Sequence, residues 1–210
     1  MSNYDDVTEN WRQKFLKEMN QEKIINKFRL CADDNYIYII YFNHEYRVGR
    51  KTGKIQRKEE PDREVGFNTQ MVIYNTFYYA VENPCASGEL VPFRQVKRVY
   101  PFEKAYRETV IQTLQTVFSG HVEELKKACE DLGGTRLPQG DAGYVLPVFP
   151  FLNIAVLFWD GDEEFDPQAN MLFDSEITQF MHEEDVVCVA ADVVKYLSEA
   201  AGLKEKRIFG

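Results

Sequence analysis

The chain opens with a helical period and then changes to an alternating one. Apolar residues recur at intervals of four on one predicted helix face, at Val7, Trp11, Phe15 and Met19, and a second helical segment follows over residues 21–28. Residues 36–42 are β-branched and aromatic, and a turn at Asn43-His44 separates them from a return strand over residues 45–49. We therefore predict N-terminal helices over residues 1–28 and a β-meander over residues 29–58.

Residues 67–134 show a mostly helical pattern. One helix begins at Asn68-Thr69, and another has Pro101 in its first turn, a favoured position for proline. The second helix carries an apolar stripe, Tyr106, Val110, Leu114, Val117 and Phe118. Gly133-Gly134 ends the last helix of this region. Between the helices, residues 89–96 predict a short extended segment, and Pro92 places it at a sheet edge.

Residues 139–210 combine strands, an acidic turn and C-terminal helices. Strands are predicted over residues 140–147, 151–159 and 169–173, followed by a helix from Glu176 and a final apolar helix. Helices and strands are mixed without regular βαβ alternation, which favours the α+β class. We predict a single domain over residues 1–210, with a largely antiparallel sheet packed by helices. Residues 151–159 form its central strand.

The acidic turn after this strand is the stretch with the strongest chemical character. Asp160, Asp162 and Glu164 alternate, as in a calcium-binding loop, but Phe165 stands where that loop needs Gly and Met171 where it needs Glu. An EF-hand is therefore excluded. A looser divalent-metal site and acid–base work by paired carboxylates stay open, as does a turn whose acids cap backbone amides or face water.

Charge is distributed unevenly along the chain. The formal net charge is −9, and no Lys or Arg lies between Arg136 and Lys195. An acidic segment of this kind is a poor partner for nucleic acid, which needs a basic surface. It also disfavours anionic membranes.

The cysteines and the N-terminus bear on the compartment. Cys31, Cys85, Cys129 and Cys188 are scattered and form no C-x-x-C pair, so a zinc ribbon or cluster motif is not predicted. The N-terminal residues have no basic region followed by an apolar stretch, and no apolar run is long enough to span a bilayer as a helix. We expect a cytoplasmic protein with reduced thiols.

Several short runs resemble the sequence pattern of the DUF3786 family. They are residues 140–144, 146–150, 157–165 and 171–174, and residues 91–96 are similar to that family's shorter upstream motif. The resemblance covers most of the chain. It implies a setting mainly in anaerobic bacteria and archaea and, because some relatives carry an added iron–sulfur module, an iron–sulfur protein context. This chain lacks the clustered cysteines that such a module needs, and the resemblance implies no reaction or cofactor.

Two functional hypotheses follow. The first is a module that binds a small ligand or a protein partner in an aromatic and acidic pocket near residues 159–165. Trp159 and Phe165 would supply apolar walls, Asp160, Asp162 and Glu163 polar contacts, and Arg94 an anion contact. The alternative is a metal-assisted or carboxylate-based enzyme that uses the same turn. The first is preferred because no nucleophile, base or metal-ligating histidine lies near the acids in sequence.

Overall fold

The computed structural model describes residues 3–203, which begin with two helices and a meander. Helices α1 (Asn3–Lys17) and α2 (Gln21–Phe28) precede four strands, β1 (Cys31–Ala32), β2 (Tyr36–Tyr41), β3 (His44–Gly49) and β4 (Ile55–Arg57). The four strands pair antiparallel in chain order. The β2–β3 turn is formed by Phe42 and Asn43, both with positive φ. This is the backbone that a two-residue hairpin needs, and it places His44 in β3 rather than in the turn.

A second antiparallel sheet has five strands in the order β5-β9-β8-β7-β6. These strands are β5 (Leu90–Pro92), β6 (Thr135–Arg136), β7 (Ala142–Phe149), β8 (Leu152–Trp159) and β9 (Gln168–Asp174). As predicted, the strand that leads into the acidic turn lies in the middle. Its residues are buried from Ile154 to Phe158 because helices and the meander cover the sheet. The α+β class is confirmed, with the strands divided between two sheets.

The remaining helices surround these sheets. They are α3 (Phe67–Tyr79), α4 (Glu103–Ala105), α5 (Gln112–Phe118), α6 (Val122–Asp131) and α7 (Asp185–Ala201), and a π-helical turn (Tyr106–Ile111) joins α4 to α5. The prediction of a helix from Glu176 is wrong, since this part of the chain forms only a short 3₁₀ turn, Ile177–Gln179. Phe180 and Met181 enter the core directly after that turn and end it.

One continuous aromatic core joins the two sheets. Phe151 stacks on Phe149 and on Phe180, with ring centroids 5.0 and 5.3 Å apart. Tyr41 of the meander packs against Phe149 of the second sheet, with centroids 4.8 Å apart. The Phe42 N–H donates to the Val148 carbonyl at 2.9 Å and links the sheets through their backbones. Many of the aromatic residues of the chain therefore fill this core.

Within residues 3–203, none of the helices combines the length and the apolar character needed to cross a bilayer.

Candidate functional site

The loop between β8 and β9 contains the acidic turn, and its first carboxylate is bound by backbone on two sides. Asp160 Oδ1 accepts hydrogen bonds from the N–H of Gly120 at 3.0 Å and from that of Gly161 at 2.9 Å. The Asp160 N–H donates to Asp141 Oδ2 at 2.8 Å. Because Gly120 lies between α5 and α6, Asp160 fastens the end of β8 to the helical layer.

The second acid of the turn folds the loop on itself. Asp162 Oδ1 accepts from the N–H groups of Glu164 and Phe165, at 2.8 and 2.9 Å, which is an Asx-type turn. These two bonds hold the pKa of the Asp162 carboxyl below its usual value. Glu163 is exposed, and Phe165 is 69% exposed. The carboxylates of Asp160 and Asp162 thus organise the backbone of the loop.

A cavity of about 390 Å³ lies beside this loop, where β5, β9 and the π-helical turn meet. Trp159 lies at its edge, at the end of β8. Three groups of residues complete the lining: Pro92, Phe93 and Arg94 at the end of β5 and directly after it; Glu103, Tyr106, Arg107 and Ile111 along the helix; and Gln168, Ala169 and Asn170 on β9. The volume falls within the range of small-molecule sites.

Aromatic packing explains the shape of the cavity wall. Phe93 stacks face to face on Tyr106, with centroids 4.1 Å apart and planes 7° apart. Phe173 meets both rings edge-on, at 5.7 and 5.9 Å. All three side chains are buried. Phe93 and Tyr106 form a rigid part of the cavity wall with Phe173 packed against them, because stacked and edge-on contacts restrict the rings in orientation as well as position.

The helix that contributes Tyr106 to this wall departs from α-helical geometry at the cavity. Its π-helical turn, Tyr106–Ile111, contributes Tyr106, Arg107 and Ile111 to the lining. A π turn widens the helix locally and is frequent at functional sites. The Tyr106 hydroxyl lies beside the Met171 backbone amide, and its own proton has no acceptor among the described residues. Burial raises the pKa of Tyr106, so the hydroxyl keeps its proton.

Two arginines at the cavity rim share one carboxylate. Arg94 Nε donates to Glu103 Oε1, and Arg107 Nη1 lies 4.0 Å from the same oxygen. The Glu103 side chain is only 16% exposed, whereas those of Arg94 and Arg107 are 69% and 66% exposed. Two positive charges around one negative charge leave the rim with a net positive charge.

The structure places the predicted site residues in two groups. Trp159 and Arg94, which are distant in sequence, line the same cavity. Asp160, Asp162, Glu163 and Phe165 are not among its lining residues and lie in the adjoining loop. The prediction that these six residues bind a ligand stays a prediction.

Metal-ligating side chains do not converge in the part of the chain that the structure describes. No group of three or more His, Cys, Asp or Glu side chains with the geometry of a metal site occurs within residues 3–203. Cys31 and Cys85 are exposed, Cys188 is partly buried, Cys129 is buried, and all four are free thiols. The alternative of a metal-assisted or carboxylate-based enzyme stays a prediction.

Comparison with known proteins identifies the family. The model of DUF3786, a domain of unknown function, matches residues 20–196. The chain belongs to the DUF3786 family. No curated protein and no solved structure matches it significantly. The matched span contains every residue that lines the cavity.

In this DUF3786 domain, two runs that carry the family resemblance are neighbours in the sheet. Strand β5 pairs with β9 so that Val91 is opposite Phe173 and Pro92 is opposite Leu172. Residues 91–96 and 171–174 therefore meet at one edge of the sheet, and the cavity begins where β5 ends. Residues 157–165 reach the same place through Trp159.

Sequence reasoning missed the helical side of the site, chiefly Glu103, Tyr106 and Arg107. The apolar stripe placed Tyr106 in the core, where it is buried. Nothing in that stripe indicates a cavity or a π turn, because Tyr106, Val110 and Leu114 recur at intervals of four, as on one face of an α-helix. The one available signal was the run of cations from Arg94 to Arg107 in an otherwise acidic protein.

Proposed function

We propose that this protein is a non-enzymatic module that binds a small ligand in the cavity between β9 and the π-helical turn. The observation that carries the proposal is the cavity of about 390 Å³ that has Trp159 and Arg94 in its lining. It combines apolar walls with a few polar groups, the usual composition of a small-molecule site.

The architecture around the cavity supports this function. Its walls come from strand ends and a helix anchored in the core, so the site exists without rearrangement. Preformed sites lose less conformational entropy on binding. The π turn supports the same interpretation, because such turns are frequent at functional sites.

The acidic turn contributes to this function by positioning Trp159. Asp160, the residue after Trp159, is hydrogen-bonded to Gly120 and to Asp141. On the far side of the loop, Gln115 Nε2 donates to the Pro167 carbonyl at 2.8 Å. Both ends of the loop are thereby fixed to the helical layer, and the indole is held at the cavity edge.

Replacing Trp159 is expected to weaken ligand binding. The indole is 40% exposed at the cavity edge, and removing it as Trp159→Ala should raise the Kd of an aromatic probe about tenfold, since ring contacts contribute about 0.5–1.5 kcal/mol beyond area burial. The probes are 2-naphthamide and 2-naphthoate, titrated by calorimetry. Trp159→Leu is a second variant that removes the ring but keeps an apolar side chain. A higher Kd in this variant also shows that the effect of Trp159→Ala does not come from unfolding.

The second tryptophan supplies an internal control. Protein labelled with 5-fluorotryptophan has two fluorine NMR signals, from Trp11 and Trp159, and Trp11→Phe assigns them. Trp11 packs against Tyr78 and Tyr79 and is not among the residues that line the cavity. Probe binding should shift the Trp159 signal and leave the Trp11 signal in place. Binding of neither naphthalene, or equal shifts of both signals, would contradict the proposed function.

A further inference from the structure

The aromatic residues that line the cavity differ in whether their rings already pack against another ring. Phe93 and Tyr106 are already stacked on each other. Trp159, in contrast, takes part in no ring pair among the described residues and remains 40% exposed. An indole face left open beside a preformed cavity suits a flat ring, which gains contact area and favourable ring geometry together.

The rim beside this indole has the chemistry of an anion site. Arg94 and Arg107 flank Glu103, which is largely buried; Glu103 holds Arg94 by a hydrogen bond and lies 4.0 Å from Arg107. A guanidinium binds a carboxylate, phosphate or sulfonate through paired N–H groups. Because both arginine side chains are about two-thirds exposed, they keep N–H groups free for a ligand.

A second hollow continues outward from the arginines. It has a volume of about 510 Å³, shares Arg94, Glu103 and Arg107 with the first and adds Tyr100, Lys104 and Glu108. Lys104 lies 3.9 Å from Glu108, so these two charges offset each other and the arginine pair remains the positive part of the rim. The two hollows meet at the arginine pair, so a charged group held there has room to extend towards solvent.

We propose that the ligand is a flat aromatic ring that carries a negatively charged group, with the ring against Trp159 and the anion at Arg94 and Arg107. This inference rests on the proposed function and specifies the class of ligand. The Gln168 and Asn170 amides are further polar groups of the lining. Gln168 Nε2 donates to the Asp166 carbonyl and Asn170 Oδ1 accepts from the Met171 N–H, which leaves the other atom of each amide to recognise ring substituents.

Matched probes separate the contribution of the charge to binding from the contribution of the flat ring. 2-Naphthoate and 2-naphthamide share one ring system and differ in charge, whereas cyclohexanecarboxylate keeps the charge without a flat ring. Calorimetry with the wild-type protein should give a Kd about tenfold lower for 2-naphthoate than for either other probe, the range expected for charge-assisted hydrogen bonds. Raising the salt concentration should reduce this preference, because the arginines are exposed.

Substitutions locate the anion contact. Arg94→Gln and Arg107→Gln should each raise the Kd of 2-naphthoate about five- to tenfold and leave that of 2-naphthamide unchanged. Arg98→Gln is the matched control, because Arg98 lies in the same region, is exposed, pairs with Glu183 and lines neither hollow. It should bind both probes like the wild type. Thermal melts verify that the variants are folded.

The outcomes are distinguishable. A preference for 2-naphthoate that is lost in the Arg94 and Arg107 variants, and kept in Arg98→Gln, supports the inference. Equal binding of the two naphthalenes overturns the anion contact and leaves the proposed function standing. Equal binding of cyclohexanecarboxylate and 2-naphthoate overturns the flat ring. An equal loss in Arg98→Gln overturns the assignment to the arginine pair, and binding of neither naphthalene overturns the proposed function itself.

Discussion

Gly140→Ala is expected to lower the free energy of unfolding by about 2–5 kcal/mol, from the cost of left-handed backbone and of overpacking together. Gly140 has φ of +71°, and a Cβ there would lie 2.5 Å from the Phe158 carbonyl oxygen. That oxygen belongs to the backbone of the central strand, which cannot move aside cheaply. The next residue, Asp141, donates its N–H to the same oxygen and holds Asp160.

Gly120→Ala separates the two costs. Gly120 has φ of +74°, and nothing lies within 4 Å of an added Cβ, so this variant carries only the backbone cost of about 1–2 kcal/mol. Urea unfolding followed by circular dichroism measures both variants. If Gly140→Ala is no less stable than Gly120→Ala, the close approach to β8 does not constrain the fold.

Asp192→Asn is expected to change how stability depends on pH. Asp192 lies on α7, is buried, and accepts hydrogen bonds from the Tyr41 hydroxyl at 3.0 Å and the Thr69 hydroxyl at 2.9 Å. Burial raises the pKa of this carboxyl to about 6. The other titratable groups around it are Tyr46, Cys188, Lys195, Tyr196 and Glu199.

The direction of the effect follows from proton linkage. A carboxyl whose pKa is higher in the folded than in the unfolded state binds its proton more tightly when folded. Its contribution to stability is therefore present at low pH and is lost as pH rises through the folded pKa of about 6. With an unfolded pKa of about 3.9, the loss amounts to about 3 kcal/mol between roughly pH 3 and pH 7.

The measured quantity is the difference in unfolding free energy between variant and wild type across this pH range. Asn keeps an acceptor oxygen for Tyr41 and Thr69 but does not titrate, so the difference should rise by about 3 kcal/mol in favour of the variant as pH increases. Asp162→Asn is the control: backbone hydrogen bonds lower the pKa of exposed Asp162, so its difference should change in the opposite sense, only below about pH 4, and stay flat above that pH. A flat difference curve for Asp192→Asn would show that Asp192 titrates normally in the fold.

The sequence was sufficient for features that depend on near neighbours. Alternating residues in 36–49 specify a hairpin, and the apolar run before Trp159 specifies a buried strand, because each pattern reports which face of the element meets the core. The α+β class followed from the order of these elements. The helix predicted from Glu176 failed because the burial of Phe180 and Met181 decides that segment.

The tertiary structure decided where the chemistry lies. Asp160 and Asp162 are conspicuous in sequence, yet their carboxylates are occupied by backbone amides, one of them from a distant turn. Arg94 and Trp159 share a cavity because β5 pairs with β9 and β9 pairs with β8. The sequence by itself thus determined the elements and the central strand that leads to Trp159. Only long-range strand pairing and the π turn could determine the cavity, because its walls come from segments that no local pattern relates to one another.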